Sequence, residues 1–76
     1  MQADEVKTPS SKALGKNVCK LRTAANITQE QLAEKADISR RYVQLIEAGT
    51  YTPTIAIVSR LRVALKATWN DLLKGC

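Results

Sequence analysis

Apolar positions recur along this chain at helical rather than strand spacing. Leu14, Val18, Leu21 and Ala25 are separated by steps of four, three and four, which lines them along one helix face. That spacing predicts a first helix running to about Ala25. Ser10 or Ser11 is placed to cap its start, and Asn26, which tolerates left-handed backbone, closes it. The segment TQEQLAEKADISRRYVQLIEAG, residues 28–49, then reads as two short helices joined by a tight turn. Ile27, Leu32, Ala33, Ala36, Ile38, Val43 and Ile46 give each of them one inward face. Thr28 followed by Gln31 predicts a capping box, Ser39 stands at the start of the second helix of the pair, and Gly49 ends it. After the loop Thr50-Tyr51-Thr52-Pro53, Thr54 caps a fourth helix with the stripe Ile55, Val58, Leu61 and Leu65. Thr68 caps a last short helix carrying Trp69, Leu72 and Leu73, closed by Gly75. No run alternates with period two and no Asn-Gly hairpin signal occurs, so the expected class is all-α, with five helices.

Composition sharpens this picture. With 76 residues the chain has room for one small domain, whose stability a partner subunit would help. The polar residues 1–9 are expected to form a loose N-terminal arm ending at Pro9, leaving residues 10–76 as the domain. There is no Phe, and Trp69, Tyr42 and Tyr51 are the aromatic residues, so the core is expected to be aliphatic. A net charge of +5, from 12 Lys and Arg against 7 Asp and Glu, favours polyanion partners. Asp4 and Glu5 lie in the arm, which leaves the domain more basic than the whole. Cys19 and Cys76 form no C-x-x-C pair and the chain lacks His, which argues against a zinc site, haem attachment or a Cys-His catalytic pair. Without a Gly-rich phosphate loop or carboxylates paired near a nucleophile, no enzyme and no cofactor are expected. No apolar run is long enough for a signal peptide or a membrane span, so a cytoplasmic protein without membrane contact is expected.

The candidate chemistry lies in the helix pair. A pair that buries one side and aims Arg and Gln outward from a helix N-terminus has the geometry for reading double-stranded DNA in the major groove. Arg40 and Arg41 occupy the first turn of the third helix, and Gln44 follows one turn on. Arg suits guanine O6 and N7, and Gln suits adenine, so at least one arginine is expected to read a base while the other takes a phosphate. Leu45 either meets a thymine methyl or folds back on the core. Gln29, at the start of the second helix, and Ser39 are expected at phosphates, drawn by free N–H groups and the helix dipole. Thr50 and Tyr51 are further phosphate candidates, and Tyr42 either bonds a phosphate or packs against its own turn.

Four segments together, LGKNVCKLR, TQEQLAEKADISRRYVQLIEAG, TPTIAIVSRLRVAL and WNDLLKG, cover roughly residues 14–74. Their pattern resembles the Cro/repressor, or XRE, helix-turn-helix family of phage repressors and restriction-modification controllers. The resemblance implies a compact five-helix, lambda-repressor-like domain that binds a palindromic operator as a two-fold homodimer. It implies that Gln29 contacts the DNA backbone and braces the recognition helix, and that Arg22 and Glu47 form a structural ion pair. Relatives often carry Arg or Gln where Leu45 stands, basic residues in the loop that here reads Gly49-Thr50-Tyr51-Thr52, and small residues and Gly at the positions of Arg62 and Lys66. Helical arithmetic points Val63, and partly Ile57, away from the core, so these two with Trp69 and Leu73 are the expected dimer surface. Two other roles share the domain: an antitoxin with a toxin protein partner, and a protein-interaction module that has lost DNA binding.

Overall fold

Hydroxyl side chains open four of the five helices. The computed structural model describes residues 11–76, which form α1 (Ser11–Ala24), α2 (Gln29–Ala36), α3 (Arg40–Glu47), α4 (Ile55–Leu65) and α5 (Trp69–Leu73), with no strand among them. The expected arm over residues 1–9 and the Ser10 cap lie outside the described residues. Thr28, Ser39, Thr54 and Thr68 stand in extended backbone at the N-caps of α2 to α5, and each accepts an N–H from its helix's first turn. Thr28 with Gln31, and Thr68 with Asp71, complete reciprocal capping boxes.

Left-handed residues close the helices. Asn26 (φ 61°) and Gly49 (φ 77°) do so as the sequence predicts, but Asp37 (φ 58°) and Lys66 (φ 54°) do the same without being glycine or asparagine. Such backbone costs a β-carbon-bearing residue roughly 1–2 kcal/mol. Hydrogen bonds offset that cost: the Asp37 N–H reaches the carbonyls of Ala33 and Glu34, and that of Lys66 those of Arg62 and Val63. The Arg60 guanidinium also donates to the Asp37 carbonyl at 3.3 Å, so α4 holds the turn between α2 and α3.

The core is aliphatic. Val18, Leu32, Val43, Ile46, Leu61 and Leu72 are fully enclosed, one or more from every helix. Helix α2 packs between α3 and α4, and α1 lies against α3, α4 and α5. Two expectations about facing are corrected. Ala25 lies beyond the end of α1 and is exposed, because the Asn26 turn swings it off the apolar face. In α4 the roles of two isoleucines are exchanged: Ile57 packs against the core, whereas Ile55 is 69% exposed. Side chains lean toward a helix's N-terminus, so Ile55, in the first position, projects past the end of the core.

Two further contacts set the helix positions. Where α1 crosses α3, Gly15 lies so close that a β-carbon would sit 2.2 Å from the Ile46 carbonyl oxygen and 2.9 Å from that of Glu47. The Asn17 amide, in turn, donates to the carbonyls of Leu72 (2.6 Å) and Lys74 (2.9 Å), satisfying the end of α5. Arg62 lies with its guanidinium 5.4 Å from the centre of the Trp69 ring and donates to the Ala67 carbonyl at 3.4 Å, rather than extending into solvent.

Gly15→Ala should lower stability by about 2–4 kcal/mol in urea unfolding, because backbone is the obstacle and α1 must move off α3. The Asp71 carboxyl is held below the ordinary aspartate range chiefly by the hydrogen bond it accepts from the Thr68 backbone N–H, with a further contribution from the Thr68 side chain. A depressed carboxylate contributes stability above its unfolded pKa and loses it as pH falls through the folded value. Trp69 fluorescence should therefore report loosening of α5 below about pH 4, and Asp71→Asn should remove that acid step.

Candidate nucleic-acid interface

Helix α3 has only eight residues, so its orientation depends on what grips it. Val43 and Ile46 bury its inner side completely. At its C-terminal end the Arg22 Nε donates to Glu47 Oε2 at 2.6 Å and Nη2 to Oε1 at 3.2 Å, a two-point pair with side chains 17% and 6% exposed. Arg22 Nη1 also reaches the Ile27 carbonyl at 2.9 Å, and the Gln29 amide donates to Glu47 Oε1 at 3.0 Å. The Glu47 carboxylate, chiefly by accepting from the Arg22 side chain, holds that guanidinium more firmly protonated than a free arginine. One carboxylate thus joins α1, the α1–α2 link, α2 and α3.

With its inner side fixed, α3 presents a polar ridge. Arg40 and Arg41 are exposed and Gln44 is half-buried, all within about 100° of helical arc. Leu45 is half-buried beside them. An open cleft of about 500 Å³ separates the starts of α2 and α3, lined by Arg22, Thr23, Asn26, Ile27, Thr28, Gln29, Glu30 and Arg40. Gln29 and Arg40 therefore share one concavity, with the N-terminus of α2 at its wall.

The hydroxyls divide into spent and available ones. Ser39 Oγ accepts the Tyr42 N–H as the cap of α3, which leaves its own proton free. Thr50 directs both its N–H and its hydroxyl to the Leu45 carbonyl, each at 3.2 Å, and so has no proton left for a phosphate. In this arrangement Thr50 finishes α3. Thr52 is hydrogen-bonded to Ser11, anchoring the loop to the start of α1. The Tyr42 hydroxyl donates to that of Tyr51 at 2.9 Å, with the rings edge-on at 4.9 Å and 67°. This bond, with smaller contributions from burial and from the charge of an ionised Tyr51, pushes the Tyr42 phenol above its ordinary pKa.

Of the four residues expected at a dimer surface, Val63 (62%), Leu73 (40%) and Trp69 (39%) are exposed, while Ile57 is half-buried and packs against the core. Among the described residues no helix is long and apolar enough to cross a membrane, and no cluster of His, Cys, Asp or Glu has metal-ligand grouping.

The family model described as Helix-turn-helix (HTH_3) matches residues 20–72, more than half of the chain. The chain belongs to the XRE-type helix-turn-helix family. The immunity repressor protein of Bacillus phage phi105 is 36% identical over 52 residues, which are 68% of this chain and 36% of the phage protein. This chain thus spans little more than a third of that relative's length. The restriction-modification controller protein C.AhdI of Aeromonas hydrophila superposes with a TM-score of 0.79 at 29% identity, covering 82% of this chain and 94% of that one. The controller C.Esp1396I, solved as a tetramer in complex with its natural 35 base-pair operator, shares the fold at a TM-score of 0.76 and 22% identity, over 90% of this chain and 100% of its own.

Within this XRE-type domain, the Glu47 network contained parts that sequence reasoning missed. The Ile27 carbonyl and the close approach at Gly15 carry no side-chain signal. The Tyr42–Tyr51 pair joins residues nine apart, across a loop whose course the pattern leaves open.

Arg22→Ala strands a carboxylate that is 6% exposed and should cost about 2–4 kcal/mol in urea unfolding, more than an exposed pair would. Adding Glu47→Ala should cost less than the sum of the two single changes, because the second removes the charge that the first leaves unpaired.

Proposed function

We propose that the protein is a sequence-specific transcriptional regulator that inserts α3 into the major groove of operator DNA. The observation that carries this reading is the two-sided character of α3. Its inner side is fixed by Val43, Ile46 and the Arg22–Glu47–Gln29 network, while Arg40, Arg41 and Gln44 face outward. Rigidly held Arg and Gln at a helix start suit base edges, because two parallel hydrogen bonds tolerate little play. Leu45 lies at the rim of that set, where a thymine methyl is its natural contact. Gln29 and Ser39, with free donors at the starts of α2 and α3, are assigned to phosphates, and the tyrosine pair supplies one more contact through the Tyr51 hydroxyl. Membership in the XRE-type family and likeness to a phage repressor and a restriction-modification controller support the same role.

A single domain of this size offers few base contacts. We infer that two copies act together on a palindromic site, with half-sites about 34–36 Å apart. Val63, Trp69 and Leu73 are the available apolar side chains, and Ile55 joins them in place of Ile57. They lie on α4 and α5, leaving α2 and α3 to the DNA.

Selection from a random DNA pool tests this. The intact protein should recover a palindromic motif, and Arg40→Ala/Arg41→Ala should relax it, with about 1–3 kcal/mol of discrimination lost per base read. No enriched motif at low or moderate salt would favour a protein-interaction module instead.

A further inference from the structure

We propose that Tyr42 and Tyr51 form a two-hydroxyl relay in which Tyr51 holds a DNA phosphate and Tyr42 is the positioning residue behind it. The inference rests on the DNA-binding reading above and assigns unequal roles to two residues that sequence places on the same footing.

The loop after α3 contains no Lys or Arg between Gly49 and Thr54, so a phosphate there must be met by neutral donors. Several of those are already engaged. Thr50 gives its N–H and hydroxyl to Leu45, the Thr52 hydroxyl is bonded to that of Ser11, and Pro53 has no N–H. Beside the backbone N–H groups of Tyr51 and Thr52, the tyrosine pair remains as the side-chain donor that faces outward. Tyr42 is half-buried, packs against the core, and spends its proton on the Tyr51 oxygen. Tyr51 is 39% exposed, accepts that bond, and keeps its own proton to give outward. A hydroxyl that accepts a hydrogen bond becomes a stronger donor, so Tyr42 improves the contact without touching the phosphate. The edge-on rings hold the Tyr51 phenol in place before DNA arrives, which reduces the freedom lost on binding. Because Tyr42 lies in the first turn of α3, directly after Arg41, the relay also ties the register of the phosphate to that of the reading residues.

The test uses the intact chain, a duplex recovered from the random pool and an unrelated duplex of equal length. Wild-type binding is measured first; a wild type that binds neither duplex overturns the DNA reading and the relay with it. With wild-type binding established, Tyr51→Phe should weaken both duplexes about three- to ten-fold, as loss of one neutral hydrogen bond predicts. The salt dependence should not change, since no charge is removed. Tyr42→Phe should weaken binding by a smaller factor and leave the recovered motif intact. The double variant should bind no worse than Tyr51→Phe alone. Equal single effects that multiply would mean two independent phosphate contacts and would overturn the relay. A motif relaxed by Tyr42→Phe would point to a shifted α3, and unchanged binding in Tyr51→Phe would leave no phosphate contact; either result overturns it too. Unfolding midpoints of the variants separate these effects from loss of fold.

Discussion

An eight-residue helix cannot hold itself in shape in water, yet α3 must hold its side chains to a fraction of an ångström if it is to read bases. The contact that makes this possible is the seat of α3 on α1. Gly15 lets the two backbones approach until there is no room for a methyl group, and the Arg22–Glu47 pair then fixes the rotation of α3 about its own axis. Neither would suffice alone. Backbone proximity without the ion pair leaves α3 free to roll. The ion pair without proximity would bridge a gap open to water, where such pairs are weak. Gln29 adds the third anchor, so α2, α1 and α3 share one carboxylate, and the orientation of Arg40, Arg41 and Gln44 follows from it.

This arrangement explains why an acid sits inside a unit whose outer surface is basic. Glu47 is withdrawn from solvent and directed inward, so its charge is neutralised by Arg22 and does not repel a phosphate. The same division recurs among the hydroxyls. Threonines at the helix boundaries complete caps or anchor the loop; Thr50 spends its proton on the end of α3, whereas the Ser39 cap accepts an N–H and keeps its own proton to give.

Much of the fold was legible because its signals are local. Period and caps placed all five helices: Thr28, Ser39, Thr54 and Thr68 each announce a helix within four residues of sequence, and Asn26 and Gly49 announce the ends of α1 and α3. What the pattern missed is either backbone or distant. Asp37 and Lys66 adopt left-handed backbone against their local preference, each held by hydrogen bonds to the last carbonyls of its own helix, and Asp37 also by Arg60 of α4. The facing of Ile55 and Ile57 turns on how far the core extends beneath the start of α4, which a stripe of apolar positions does not record. In the candidate interface, Arg40, Arg41 and Gln44 stood out by residue type and position. The spent protons of Thr50 and the pairing of Tyr42 with Tyr51 depend on where the loop returns, and no sequence period encodes that.

The surface of α4 and α5 has its own logic. Ile55, Val63, Trp69 and Leu73 are exposed there, and Arg62 lies over Trp69 with its Nε buried and without a hydrogen-bond partner among the described residues. An unsatisfied buried donor costs about 1–3 kcal/mol, a large share of what a domain this small can hold in reserve. The stacked guanidinium nevertheless keeps one face of the Trp69 ring covered in the single chain. A second copy seated on this surface, as proposed, would cover the remaining apolar side chains and raise stability by mass action. Folding, pairing and DNA binding would then draw on one equilibrium. Below the concentration at which copies pair, the chain would be both less stable and a weaker binder. Protein concentration would then help set operator occupancy.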